Sequence, residues 1–429
     1  MSENKNNIMV IVGLNWGDEG KGRMVDYLAQ DVDYVVRFQG GNNAGHTVVN
    51  ELGTFKLHLV PSGIFNPNVT NVLGTGMVID LEAMDEEFTA LKESGIKVDN
   101  IVVSDRASIT FPFHRIEDEL EEERLGKEAY GSTKRGIAYA YGERYLKKSL
   151  LIGELLYPGE MEKRLKDLVT WKNQLIKDFY GREDKMISYE EALEWTRKYG
   201  DKVKPYIKDT TVMLEEAASA GKKILFEAQL GSLRDIYYGI YPFTTSSCTL
   251  AAFAPIGGGL LTHRYDKVVG VMKAFSTCVG AGPFVTEISG EDADNLRETA
   301  FEYGASTGRP RRIGHFDAVA SRYGAKVQGV DDIAITKLDS LSGRDKLYIC
   351  TAYEADGKTY ENFPLNPILD KAKPVYIEMP GWTEDINKCR KFDELPKTAQ
   401  DYVNKIEELL GYKIKYISVG PERESLIIK

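Results

Sequence analysis

Residues 8–29 of this 429-residue chain read IMVIVGLNWGDEGKGRMVDYLA, and this stretch decides the fold. An apolar, β-branched run is followed by a glycine-rich turn and then by a helical pattern. In that order of elements, backbone N–H groups at a helix N-terminus can bind phosphate. Lys21 can add a positive charge there, and the turn permits close backbone approach through Gly13, Gly17, Gly20 and Gly22.

The turn departs from the usual phosphate-binding loop. Six residues, rather than four, separate Gly13 from Gly20, and Gly22 stands where a magnesium-binding Ser or Thr is expected. On glycine spacing alone, an ordinary strand–helix turn remains an alternative. Asp18 favours a functional loop, because a carboxylate there repels phosphate unless it binds Mg²⁺ or takes part in proton chemistry.

Composition and charge exclude several classes of protein. The chain has 55 Lys+Arg against 65 Asp+Glu, a formal charge of −10, and 42% hydrophobic residues, which is typical of a globular protein. The acidic excess argues against nucleic-acid binding but permits anionic small molecules at local basic clusters. We interpret the acidic run at residues 117–123 as a solvated helix face.

The same sequence predicts a cytoplasmic protein with no membrane partner. No apolar stretch approaches the length of a membrane span, and the apolar run near the N-terminus is too short for a signal peptide. Four scattered cysteines without CxxC spacing indicate reduced thiols.

Short apolar runs alternate with helical patterns along the chain, which favours an α/β fold. We predict one large domain over residues 1–429, P-loop-NTPase-like, with a mostly parallel central sheet and helices on both faces. Residues 160–221 carry few strand signals and are predicted as a helical insertion. The predicted strands are Ile8–Val12, Tyr34–Phe38, Asn71–Leu73, Ile101–Val103, Ile224–Phe226, Val268–Met272, Ile333–Leu338 and Tyr416–Ser418.

A second loop follows the next predicted strand, where residues 35–49 read VVRFQGGNNAGHTVV. Polar side chains directly after a strand lie at the carboxyl edge of the sheet, where α/β proteins bind ligands. A histidine by itself is more often structural than functional. His46 lies directly after Gly45 and near Asn43, which favours a functional role.

The two loops, WGDEGKG followed by NNAGHT, resemble those of the adenylosuccinate synthetase family, and the resemblance covers essentially the whole chain. The family makes adenylosuccinate from IMP and aspartate with GTP and Mg²⁺, and its members are homodimers. By this resemblance, Asp18 is the base at N1 of IMP and also contacts Mg²⁺. His46 stabilises the transferring phosphoryl group and acts as general acid, Lys21 binds phosphate, and the Gly45 carbonyl approaches Mg²⁺.

The resemblance implies a GTP site built from four segments. Asp339, in the TKLD sequence that ends a strand, can accept hydrogen bonds from the guanine N1–H and 2-amino groups, and Lys337 can pack along the base. A TKLD sequence alone is a weak signal. The GTP-binding residues implied are Gly17, Glu19, Gly20, Lys21, Gly22, Gly45, His46, Thr47, Lys337, Asp339, Ser418 and Gly420.

The resemblance also implies sites for IMP and aspartate. The richest basic segment, EYGASTGRPRRIGHFD at residues 302–317, suits carboxylate and phosphate recognition by forked donors. The IMP residues implied are Asp18, Asn43, Ala44, Thr133, Lys147, Gln229, Thr245 and Arg309. The aspartate residues implied are Val279, Ala305, Ser306, Thr307 and Arg311.

The chain departs from the family pattern at several positions. The family usually has glutamine directly before a glycine, whereas here Leu230 takes that place and Gln229 lies one residue earlier. Lys147 replaces an arginine that the family often contributes across the dimer interface, and lysine lacks the bidentate fork. Arginine is commoner at Cys278, and tryptophan at His315. Which of Gln229 and Leu230 contacts IMP, and whether Lys147 reaches across the dimer, stay open.

Two alternative functions follow from the same motifs. A related ligase uses dGMP instead of IMP, but such relatives tend to lack the loop aspartate, so Asp18 favours IMP. A GTP-binding regulatory protein would need neither the second nucleotide pocket nor the amino-acid pocket that Asp18, His46 and the arginine loop indicate.

Overall fold

A computed structural model describes residues 7–304 and 308–429 of the chain. The strands within these ranges are β1 (Ile8–Gly13), β2 (Tyr34–Arg37), β3 (His46–Asn50), β4 (Gly53–Leu57), β5 (Thr70–Leu73), β6 (Val78–Asp80), β7 (Ile101–Ser104), β8 (Ser108–Thr110), β9 (Ile207–Lys208), β10 (Ile224–Gly231), β11 (Lys267–Lys273), β12 (Ser276–Cys278), β13 (Glu287–Ile288), β14 (Arg312–Gly314), β15 (Phe316–Asp317), β16 (Asp332–Thr336), β17 (Arg344–Ala355), β18 (Lys358–Tyr360), β19 (Lys373–Trp382), β20 (Ile414–Ser418) and β21 (Leu426–Ile428).

The same ranges contain helices of up to 17 residues. They are α1 (Lys21–Leu28), α2 (Leu81–Glu93), α3 (Pro112–Leu125), α4 (Ile137–Tyr145), α5 (Pro158–Gln174), α6 (Tyr189–Val203), α7 (Thr210–Ser219), α8 (Ala254–Gly258), α9 (Glu291–Thr299), α10 (Ala318–Gln328), α11 (Asn366–Leu369) and α12 (Lys397–Leu410). None of these helices has the length and apolar character needed to cross a membrane.

A ten-stranded sheet forms the centre of the molecule, in the order β21-β20-β16-β11-β1-β10-β2-β5-β7-β9. Every neighbouring pair is parallel except β20 with β21. All eight predicted strands are members of this sheet, and the α/β prediction is confirmed. The two members that were not predicted, β9 and β21, are short strands at its edges.

Helices cover both faces of the sheet. On β1, Val10 and Val12 point to a core that includes residues of α7, α8, α10 and α12, whereas Ile11 points to a second core formed with α1. Successive strand residues point to opposite faces, so both faces of a continuous apolar run are buried. Burial on both faces explains why these runs contain so few polar residues.

A smaller sheet was not predicted from the sequence. In it, the 12-residue strand β17 pairs antiparallel with β18 and β19 and parallel with β15. Its sequence, RDKLYICTAYEA, mixes charged and apolar residues, and its register with β19 shifts between Cys350 and Ala352. A register shift of this kind breaks the alternation that would mark a half-buried strand.

The region after residue 158 contains α5, α6 and α7, together with a short π-helix at Leu175–Phe179 and the edge strand β9. A buried ion-pair cluster joins α5 to the main body: the Lys172 ammonium contacts the carboxylates of Glu117 and Glu143. Glu117 and Asp118 begin the acidic run at residues 117–123 and are both buried, so the interpretation of that run as a solvated helix face is wrong at these two positions.

Candidate functional site

A cleft of about 430 Å³ lies at the carboxyl edge of the central sheet. The loops after β1, β2, β16 and β20 reach it, as do the last residues of β10. Ligands bind at this edge in open α/β sheets. Fifteen predicted site residues line it: Asp18, Glu19, Gly20, Lys21, Gly22, Ala44, Gly45, His46, Thr47, Gln229, Arg311, Lys337, Asp339, Ser418 and Gly420.

The first loop is held in shape from inside by Glu19. Its carboxylate accepts hydrogen bonds from the backbone N–H groups of Asn15 (3.1 Å) and Gly17 (2.8 Å) and from the Lys21 ammonium (2.6 Å). A Cβ atom at Gly13 would lie 2.4 Å from this carboxylate, so only glycine fits there. The loop therefore carries an internal anion beside Lys21.

Asp18 belongs to a chain of alternating charges along the cleft wall. The Arg311 Nε donates to the Asp18 carboxylate at 2.9 Å, and the Arg311 Nη1 donates to Glu302 at 2.6 Å. The Lys273 ammonium donates to the same Glu302 oxygen at 2.6 Å. Burial disfavours the ionised form of Glu302, but the two cations outweigh it and hold its pKa below the ordinary value.

His46 lies over a buried layer of charged side chains. Its Nε2 is 3.5 Å from a carboxylate oxygen of Glu227, which accepts hydrogen bonds from the N–H (2.8 Å) and hydroxyl (2.7 Å) of Ser62. Burial, reinforced by the positive charge of Arg37, lowers the pKa of His46 well below 6.5. The imidazole is therefore neutral at pH 7 and has one N–H to donate.

The opposite end of the cleft is formed by the neighbouring strands β16 and β20. After β16, the Lys337 ammonium donates to the Ala300 carbonyl at 2.8 Å. Burial raises the pKa of Asp339, although Lys337 opposes this shift. After β20, the Ser418 hydroxyl donates to the Gly420 carbonyl at 3.1 Å. Because β16 and β20 are paired, the two segments lie side by side.

The side-chain amide of Gln229 is hydrogen-bonded to the backbone of the second loop. Its Nε2 donates to the carbonyls of Gly41 (2.9 Å) and Ala44 (3.1 Å), and its Oε1 accepts from the Gly41 N–H (3.2 Å). Leu230, the next residue, has a φ of 60°. Both residues line the cleft, and which of them contacts IMP stays a prediction.

Backbone strain is concentrated at the cleft. Of the seven non-glycine residues with positive φ among those described, four line it: Asp18, Leu230, Phe301 and Lys337. Left-handed backbone conformation is costly for such residues and gathers at binding sites.

Seven predicted residues lie outside the cleft lining: Gly17, Asn43, Thr133, Lys147, Thr245, Val279 and Arg309. Gly17 turns the first loop, and Asn43 is half-buried in the second. Thr133 is half-buried in the loop before α4, and Lys147 is exposed just after that helix. Arg309 is also exposed. Ala305, Ser306 and Thr307 fall outside the described residues.

Thr245 and Val279 are both hydrogen-bonded to the same residue, Arg234. The Thr245 N–H donates to the Arg234 carbonyl at 2.8 Å, and the Arg234 guanidinium donates to the Val279 carbonyl at 2.5 Å. Arg234 was not predicted as a site residue.

The sequence analysis also missed residues that line the cleft. Three of them, Arg37, Glu227 and Lys273, lie within buried central strands. A charged residue inside a continuous apolar run is a detectable signal, because burying a charge is costly without a partner. Others gave no such signal: Arg23, Thr299, Phe301, Glu302, Tyr303, Thr336, Ser340 and Pro421.

The oxygen donors in the cleft suit a magnesium ion bound partly by substrate. The Asp18 carboxylate and the Gly45 carbonyl both lie there. Among the described residues, no group of three or more His, Cys, Asp or Glu side chains could hold a metal. Mg²⁺ is commonly bound by one or two carboxylates together with substrate phosphates, so this sparse donor set fits it.

Comparison with known proteins gives a consistent result. A family model described as adenylosuccinate synthetase matches residues 10–427. The chain is 50% identical to adenylosuccinate synthetase 2 of Pseudoalteromonas translucida over 98% of this chain and 99% of that relative. It is 45% identical to adenylosuccinate synthetase of Caldanaerobacter subterraneus, with 98% and 99% covered.

Two solved structures are similar to this one. The fully ligated adenylosuccinate synthetase of Plasmodium falciparum has a TM-score of 0.91 and 35% identity, covering 99% of this chain and 100% of that chain. The succinoaminodeoxyadenylate synthetase of cyanophage S-2L, bound to dGMP and dATP, has a TM-score of 0.61 and 20% identity, with 99% and 95% covered. At that identity, the phage likeness shows the fold alone.

The environment of His46 predicts that its imidazole does not titrate between about pH 6 and pH 8. In the unfolded chain the same group protonates near its ordinary pKa of 6.5. The unfolded state therefore binds more protons below that pH, and the free energy of unfolding should fall as the pH drops. NMR titration would follow the imidazole, with the signal assigned by its loss in His46→Asn.

The His46→Asn variant should also lose part of this pH dependence in urea-unfolding measurements. A His46 signal that titrates with a midpoint near pH 6.5 would contradict the neutral form.

Proposed function

The chain belongs to the adenylosuccinate synthetase family, and we propose that the cleft is the site at which it joins IMP to aspartate at the expense of GTP. The reaction forms adenylosuccinate, GDP and phosphate and belongs to purine biosynthesis. One observation carries the proposal: Asp18 and His46, from two separate loops, line the same cleft as the predicted guanine reader Asp339.

GTP would lie between the first loop and the segments after β16 and β20. Asp339 would accept hydrogen bonds from the guanine N1–H and 2-amino groups, and the Ser418 segment lies beside it. The phosphates would lie against the N-terminus of α1, where N–H groups and the helix dipole favour anions. Lys21, now paired with Glu19, would supply a point charge to them.

IMP would place its O6 between Asp18 and His46. Asp18 would take the proton from N1 and so increase the negative charge on O6, which attacks the γ-phosphorus of GTP. The neutral His46 imidazole would donate its N–H to the transferring phosphoryl oxygens. The product of this step is 6-phosphoryl-IMP, whose phosphate is a far better leaving group than oxide.

The amino acid would be held by the arginine loop. The guanidinium of Arg311 lies in the cleft and already binds a carboxylate, that of Asp18. A substrate carboxylate would bind to the same planar guanidinium. The amine of aspartate would then attack C6 and release phosphate. Ala305, Ser306 and Thr307 are proposed to complete this pocket, as is Val279.

Mg²⁺ would be held by the Asp18 carboxylate and the Gly45 carbonyl together with substrate phosphates. When bound, the ion would neutralise negative charge on the phosphates during transfer. The other contacts of the GTP phosphates would come from the loop N–H groups and Lys21.

We further propose that the chain works as a homodimer in the cytoplasm, where its four thiols stay reduced. The support for a dimer is an exposed patch beside Lys147, comprising Tyr145, Leu146, Tyr237 and Tyr238, each 53–71% exposed. The Tyr145 side chain raises the pKa of Tyr237, so the two side chains lie close together. Large exposed apolar patches mark interfaces, and a second copy would bring Lys147 towards its IMP site.

The main test is product formation with each of GTP, IMP and aspartate omitted in turn. We expect a succinylated purine only when all three are present, and no product when dGMP replaces IMP. Asp18→Asn should lower kcat by at least about 100-fold, because it removes the base while keeping the side-chain shape. Absence of product with all three substrates would refute the proposed function. Product formed with dGMP but not with IMP would establish the related ligase.

Asp339→Asn should raise the KM for GTP by about 100-fold, because it removes a charged acceptor of two hydrogen bonds. The same variant should use xanthosine triphosphate better than the unmodified protein does, since the asparagine amide can donate to the 2-oxo group. Steady-state kinetics with both nucleotides would measure this. Asp345→Asn, at an exposed position nearby, is the matched control. Unchanged GTP kinetics in Asp339→Asn would remove this residue from the guanine site.

The dimer is tested by Leu146→Lys combined with Tyr237→Lys, which places charges in the exposed patch. Sedimentation should show a shift from dimer to monomer and a higher KM for IMP. Val212→Lys, at an exposed site on α7, should change neither property. Lys147→Ala should raise the KM for IMP and leave the dimer intact. A monomeric unmodified protein would contradict the proposal.

A further inference from the structure

Arg234 is a buried cation outside the cleft that has no part in the reaction described above. It ends the short helical turn Ser232–Arg234 after β10 and is 8% exposed. Its guanidinium donates to the carbonyls of Val279 (2.5 Å) and Ala281 (3.3 Å) and to that of Phe243. It also lies 3.0 Å from the Cys278 sulfur.

The loop that Arg234 contacts has little support of its own. Residues 279–282 form no strand or helix, and Gly280 and Gly282 have φ angles of 86° and 103°. From the other side, Arg312 donates to the carbonyls of Gly280 (3.4 Å) and Gly282 (2.8 Å). Two arginines therefore bind alternate carbonyls of one loop, which fixes its path.

Arg234 also links this loop to the predicted IMP-binding segment. Its backbone carbonyl accepts from the Thr245 N–H, and its guanidinium binds the Phe243 carbonyl two residues earlier. One residue, through its backbone and its side chain, thus links the segment of Thr245, predicted for IMP, to Val279, predicted for aspartate.

The two arginines differ in their counter-charges. Arg312 forms an ion pair with Glu287, with its Nε 2.8 Å from the carboxylate. Within residues 7–304 and 308–429, no carboxylate lies at ion-pair distance from Arg234, whose partners are carbonyls and a thiol. A buried positive charge without a counter-ion favours anionic ligands nearby.

We propose that Arg234 is a positioning residue for IMP and aspartate, with its guanidinium held beside the Cys278 sulfur and bonded to the loop that follows it. The small Cys278 side chain leaves room for it. Arg234 acts through the backbone of residues 278–282 and 243–245 and touches neither substrate. This inference rests on the proposed function, because it concerns the pockets assigned there.

The first test is Arg234→Leu, measured by steady-state kinetics. The KM values for IMP and aspartate should each rise by about tenfold, as expected for losing charge-assisted hydrogen bonds that hold a loop. The KM for GTP, whose predicted residues are not hydrogen-bonded to Arg234, should stay within about twofold. Arg197→Leu, at an exposed ion pair on α6, is the matched control and should change none of these values.

The second test supplies a guanidinium from position 278 in place of the one at position 234. Cys278→Arg alone crowds two like charges and should raise the KM values for IMP and aspartate. The double variant Arg234→Leu with Cys278→Arg should bring both to within about threefold of the unmodified protein, an interaction between the two sites that a double-mutant cycle quantifies. A merely structural role for Arg234 predicts no such recovery.

Three outcomes would overturn the inference. They are unchanged KM values for IMP and aspartate in Arg234→Leu, an equal rise in all three KM values, and a double variant no better than Arg234→Leu. If Arg234→Leu does not fold, as judged by circular dichroism, Arg234→Lys replaces it and should give a smaller rise in the same two KM values. Failure of the unmodified protein to make a succinylated purine would refute the proposed function instead.

Discussion

The parallel register of six adjacent strands is the constraint on which the site depends. In the order β20, β16, β11, β1, β10 and β2, each strand runs in the same direction, so all six end at one edge. The first loop, the second loop, the Lys337 segment and the Ser418 segment lie at the ends of β1, β2, β16 and β20. Because hydrogen bonding fixes the order of the strands, it also fixes the order of these segments, with the predicted guanine reader at β16 and β20 and the histidine loop at β2.

The charged side chains around Asp18 in the cleft are paired with one another. Glu19 occupies N–H groups of the first loop, Asp18 binds Arg311, and Glu302 binds both Arg311 and Lys273. The formal charge of −10 is therefore compatible with a cleft that is proposed to bind anions. Lys21 and Arg311, which are proposed to meet a phosphate and a carboxylate, already have carboxylate partners in the protein. Substrate anions would therefore replace these protein carboxylates rather than bind to unpaired positive charges.

The central sheet and most of the cleft could be predicted from the sequence, because buried parallel strands are continuous apolar runs and loops such as GDEGKG carry their own chemistry. The smaller sheet could not, since β17 is half-exposed and its register shifts. Arg37, Glu227 and Lys273 could have been noticed as charges within buried strands. The contacts of Arg234 and Gln229 could not, because they depend on how distant loops meet. Nothing in a linear pattern specifies such a meeting.

The left-handed backbone of Asp18, with a φ of 59°, limits how this position can change over evolutionary time. Asparagine, aspartate and glycine tolerate that conformation best, whereas β-branched and bulky residues are strained in it. Glutamate would keep a carboxylic acid group, but its extra methylene would change the position of that group. Asparagine and glycine, the other residues that adopt this conformation most readily, both lack an ionisable group. Loss of the proposed base and loss of the proposed activity would therefore coincide in a single substitution.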